Sequence, residues 1–101
     1  MTKTLLLAAL LSPLAVLPAF AASIVVQKGR AFRPAEISIA RGETVTFTND
    51  DSYIHQVYVT GLFDSEEKAP GENLNETFPD AGTFQVRCHI HPTMKMTIRV
   101  R

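Results

Sequence analysis

Within nine residues, Cys88-His89-Ile90-His91-Pro92-Thr93-Met94-Lys95-Met96, the chain sets one thiol, two imidazoles and two thioethers. Packing alone does not call for so many soft and borderline donors in one stretch. A thiolate, two imidazoles and a weak thioether suit copper in both oxidation states, because the sulfur donors favour Cu(I) and imidazole accepts Cu(II). Zinc would gain nothing from a methionine. The remaining histidine is His55, far upstream, and recruiting it requires His55 and Cys88 to meet across the fold. A thiol beside histidines also suggests a nucleophile, but no orienting third group or oxyanion device accompanies Cys88, so no enzyme is expected.

The elements that must bring these residues together are short and alternate with period two, and no stretch keeps a helical period. Ser23 to Lys28 reads as a first strand, Phe32 to Ala40 as a second carrying Pro34 at its start, and Thr44 to Thr48 as a third. After the turn Asn49-Asp50-Asp51-Ser52, Ile54 to Thr60 reads as a strand that carries His55. Residues 61–75 are polar and read as a loop with one helical turn near Ser65-Glu66-Glu67. Leu74 to Phe78 is a short strand, and Thr83 to Cys88 is a strand leading into the donor cluster. In the last strand Met96, Ile98 and Val100 face inward while Lys95, Thr97, Arg99 and Arg101 face outward. About seven short strands in one small domain imply an all-β, two-sheet sandwich with Greek-key connections, in which distant segments become neighbours.

The N-terminus sets the compartment. Lys3 precedes an apolar run from Leu5 to Leu17 and then Ala19-Phe20-Ala21, a small-x-small site before Ala22. This predicts a signal peptide over 1–21, cleaved to leave a single domain over 22–101 in the periplasm, with no membrane insertion afterwards. The formal charge is zero, with ten basic and ten acidic residues. No basic stripe marks the chain for nucleic acid. Cys88 is the only cysteine, whereas small exported domains often depend on disulfides. In an oxidising compartment a lone thiol needs burial, dimerisation or a metal to protect it.

Taken together, Phe32-Arg33-Pro34 with Ile37, the Gly42 to Asn49 strand, Ile54-His55-Gln56-Val57, the Gly82 to Cys88 strand and the donor loop resemble the cupredoxins, the blue copper proteins, and among them the amicyanin, plastocyanin and pseudoazurin branches. The resemblance implies a single copper ion held by His55, Cys88, His91 and, as a long axial thioether, Met94. It implies a monomer that shuttles single electrons between redox partners such as a cytochrome or a copper or quinone enzyme, with His91 as the port.

Three positions depart from the family's usual pattern. Gln56 stands where asparagine commonly braces the cysteine loop, and His89-Ile90 replaces a pair ending in proline. Ile90 thereby regains a backbone N–H, and a donor aimed at the sulfur would raise the metal's potential. The third departure is the doubled methionine. Met94 gives the shorter spacing and the tail length of amicyanin, which leaves Met96 as a core residue; with Met96 as the ligand the spacing would approach pseudoazurin or plastocyanin. Alternation turns His89 away from Cys88. As a ligand it would favour the other reading of the chain, a copper-sequestering or copper-delivering protein on the same fold. The acidic group Asp64, Glu66, Glu67 and Glu72 reads as a solvated face that could also orient a basic partner.

Overall fold

The computed structural model describes residues 23–101, so the expected signal peptide at 1–21 lies outside the described residues. Alternating apolar residues build nine strands: β1 (Ser23–Lys28), β2 (Ala31–Arg33), β3 (Glu36–Ile39), β4 (Thr44–Asn49), β5 (Tyr58–Val59), β6 (Phe63–Asp64), β7 (Asn73–Thr77), β8 (Gly82–Arg87) and β9 (Lys95–Val100). They form two sheets, ordered β2-β1-β4-β7 and β3-β9-β8-β5-β6, and no helix occurs among the described residues. β1 runs parallel to β4 and β3 parallel to β9, while the other pairs are antiparallel.

Between the sheets lies the core. Val25, Val45 and Phe47 enter it from one sheet, and Ile39, Val86, Met96, Ile98 and Val100 from the other. Phe32 meets Phe47 edge to face at 6.3 Å, and Phe63 meets Phe78 at 6.0 Å. Each fully buried side chain among them contributes about 1.5–3 kcal/mol by leaving water. Cys88 and Met94 belong to the same buried cluster, so the donor residues close one end of the core.

Three expectations about local structure are corrected, each for a reason of hydrogen bonding. The strand expected from Phe32 to Ala40 is two strands in different sheets, because Pro34 has no N–H with which to continue a ladder. The strand expected from Ile54 to Thr60 narrows to β5, because its first residues spend their amides elsewhere. His55 exchanges backbone bonds with Lys68, the Gln56 N–H points to Cys88 Sγ, and the Val57 N–H donates to Ser65 Oγ. Ser65 in turn donates its own N–H to Val57 O and its hydroxyl to Glu66 O, which leaves no helical turn at Ser65-Glu66-Glu67; instead β6 pairs with β5 inside the expected loop.

Candidate metal centre

The site is assembled from two loops that follow strands of opposite sheets. Where β4 ends, the buried Asn49 donates its side-chain amide to Tyr53 O at 2.8 Å and to Lys68 O at 2.9 Å, and accepts the Asp51 N–H at 3.0 Å. These three bonds fold the 49–55 segment over the end of the core. His55 is thereby fully buried, and its Nε2–H donates to Asp51 Oδ2 at 2.9 Å. With Nε2 so engaged, the ring turns its Nδ1 into the site.

From the other sheet, β8 delivers Cys88, and a tight turn closed by Met94 N–H donating to His91 O at 2.9 Å swings His91 back beside it. Nδ1 of His55 lies 3.1 Å from Nδ1 of His91, and Cys88 Sγ lies 3.9 Å from each. His55, Cys88 and His91 thus form a compact metal-binding group. Separations of this size are what three donors bonded about 2.0–2.3 Å from one ion would show. The donor chemistry fits copper: two nitrogens and a sulfur, the sulfur and one ring buried, with no carboxylate among the three. Met94 is 1% exposed immediately after the turn, and Met96 is 2% exposed in β9.

Electrostatics favour the unprotonated form of His91. Burial, and then the neighbouring His55 and Arg30, hold the His91 pKa below the ordinary 6.5. Burial alone would raise the Asp51 pKa, but hydrogen bonds from the Arg30 N–H, the His55 ring and the Gly29 N–H outweigh it and lower it from 3.8 to about 2. Asp51 therefore stays ionised behind His55.

Two residues that structure the site escaped the sequence reading, Asp51 and Asn49, both read as parts of a turn. The only local signal was an acid four residues before a histidine. The backbone donor on Cys88 Sγ is the Gln56 N–H at 3.3 Å, and Ile90 makes no such bond. His89 stands apart from the metal group. Its ring lies flat on Tyr58, with centroids 3.7 Å apart, and its Nε2 is 3.1 Å from Asp64. The other acidic residues singled out, Glu66, Glu67 and Glu72, are exposed.

The chain is 34% identical over 86 residues to a chloroplastic plastocyanin of Silene latifolia subsp. alba, covering 71% of this chain and 52% of that relative, so it spans about half the relative's length. Among solved structures, a reduced amicyanin variant superposes with a TM-score of 0.76 at 25% identity, covering 82% of this chain and 85% of the other. A purple cupredoxin from Nitrosopumilus maritimus shares the fold with a TM-score of 0.75 at 24% identity, covering 78% of this chain and 99% of that one. The family of copper binding proteins described as plastocyanin/azurin matches residues 21–101. The chain belongs to this family, the cupredoxins, and its cofactor is one copper ion at the group His55, Cys88 and His91.

Proposed function

We propose that the protein is a periplasmic one-electron carrier rather than an enzyme, its mature domain running from Ala22 to Arg101 after removal of a signal peptide. His55, Cys88, His91 and Met94 would hold the metal, two imidazoles and a thiolate with a weaker thioether. Copper held there would supply one-electron chemistry, the Cu(II)/Cu(I) couple. The residues supply a fixed donor set: His55 is tied to Asp51, Cys88 receives the Gln56 N–H, and the 88–94 loop is closed by its own turn. Donors held in this way move little when the charge on the metal changes.

The observation that carries the reading is the unlike exposure of the two imidazoles. His55 is sealed, whereas His91 is only partly buried and neighbours Tyr53 at 6.0 Å between ring centroids. Tyr53, Ile54 and Ile90, exposed by 45%, 45% and 41%, flank the two histidines in sequence and give that end apolar surface. Such a surface suits short-lived encounters with a cytochrome or a copper or quinone enzyme. The engagement of His89 with Tyr58 and Asp64 supports this reading over the copper-handling one.

The test is voltammetry and copper exchange on the copper-loaded protein. A carrier gives a reversible one-electron wave and keeps its copper against a competing chelator in both oxidation states. An irreversible wave with ready loss of Cu(I) to the chelator would instead establish the copper-handling role.

A further inference from the structure

The β1–β2 turn contributes a second feature to this end of the molecule. Gly29 and Arg30 both take left-handed backbone angles, φ 61° and 54°, and Arg30 is the only non-glycine residue with positive φ among those described. Side chains with a Cβ rarely adopt that conformation without a reason. Here it aims two successive N–H groups at one carboxylate: Gly29 N–H reaches Asp51 Oδ1 at 3.1 Å, and Arg30 N–H reaches Oδ2 at 2.8 Å. Successive amides arranged in this way make a small anion cradle. The Oδ2 atom also accepts the Nε2–H of His55, so the cradle is joined to the metal group through a single carboxylate. The same Arg30 places its guanidinium 4.2 Å from the centroid of Tyr53, whose ring neighbours His91.

We propose that Asp51, anchored by the Gly29–Arg30 amides, is a positioning residue of the copper centre that fixes the orientation of His55, strengthens its Nδ1 as a donor and so biases the bound copper toward Cu(II). The inference rests on His55 being a copper ligand. A carboxylate accepting the distal N–H of a metal-bound imidazole raises the basicity of the ligating nitrogen, and the more highly charged oxidation state gains more from it. The turn that sets this bias belongs to the four-stranded sheet, whereas Cys88 follows a strand of the five-stranded one.

The experiment compares the copper-loaded wild type with Asp51→Asn and Asp51→Glu at neutral pH. In Asp51→Asn the cradle amides and the His55 N–H lose their ionised acceptor. Affinity for Cu(II) should fall about tenfold more than affinity for Cu(I), which raises the potential by about 59 mV for a one-electron couple. Asp51→Glu keeps the charge and should shift less than half as far, although its extra methylene disturbs packing. A coloured Asp51→Asn protein with the wild-type potential, or an Asp51→Glu protein that shifts as far as Asp51→Asn, overturns the proposal. Should Asp51→Asn fail to fold, proton NMR of the Cu(I) wild type decides: a slowly exchanging His55 Nε2–H supports the inference and a rapidly exchanging one contradicts it. If the wild type itself shows no thiolate-to-copper band, the copper-ligand reading fails instead, and the two failures are thereby told apart.

Discussion

The two segments that supply histidines to the site are built on different principles. The 49–55 segment is polar and tightly bonded, with Asn49 and Asp51 both buried, Asn49 donating to two backbone carbonyls and accepting the Asp51 N–H, and Asp51 accepting from the His55 ring. The 88–94 loop has one backbone bond across its turn and exposes Ile90, while His91 is partly open. The first segment sets where a donor must be. The second lets a donor be reached. A carrier needs both, because a site sealed on every side would bind its metal without exchanging electrons at a useful rate.

Removing His91 tests the contrast most severely. His91→Gly should open a coordination position while His55, Cys88 and Met94 keep copper in place, and added imidazole should restore most of the colour. Electron exchange with a partner should recover less fully, since a free ligand is not fixed between Ile90 and Pro92. The equivalent change at the sealed segment, His55→Gly, should not be rescued well, because imidazole has no open path to a fully buried position. Equal rescue at both positions, read by optical titration, would erase the distinction between the segments.

The methionines provide a finer probe. Met94→Gln should shift the spectrum and lower the potential, since an oxygen donor favours Cu(II). Met96→Leu is a volume-conserving change in β9 and should cost about 1 kcal/mol or less with the spectrum unaltered. Spectra and chemical denaturation of both variants check this, and the opposite pattern would transfer the axial role to Met96.

Acid provides a test of the polar segment that needs no mutation. In the apoprotein, His91 has a folded-state pKa below 6.5, so the unfolded chain takes up its proton first and stability declines as pH falls below that value. Asp51 has its pKa lowered from 3.8 to about 2, so the stability it contributes is fully present above pH 3.8 and is lost as the pH falls through about 2. The depression of the Asp51 pKa corresponds to about 2 kcal/mol. Denaturant midpoints of the apoprotein across this range should show both declines, and Asp51→Asn should lack the lower one.

The same contrast explains what could be read from the chain in advance. β1, β4, β8 and β9 follow from period-two alternation because their amides pair with neighbouring strands and their apolar residues meet one core. The thiol, imidazoles and thioethers near Cys88 were legible because donor chemistry is written in residue type. What escaped was the polar support. Asp51 acquires its role only because the Gly29–Arg30 turn, more than twenty residues earlier, comes to face it, and no local pattern records that meeting. β5 was overestimated for a related reason, since residues 55–57 bond to Lys68, Cys88 and Ser65 instead of extending a strand.

The most direct test of the account is a Cu(II) titration of the apoprotein and of Cys88→Ser side by side, followed at the thiolate-to-copper charge-transfer band. The wild type should develop an intense visible band that saturates at one copper per chain. Cys88→Ser should stay folded, as judged by circular dichroism, and show no such band. An intense band persisting in Cys88→Ser, or saturation in the wild type only well beyond one equivalent, would contradict the assignment of a single copper centre built on Cys88.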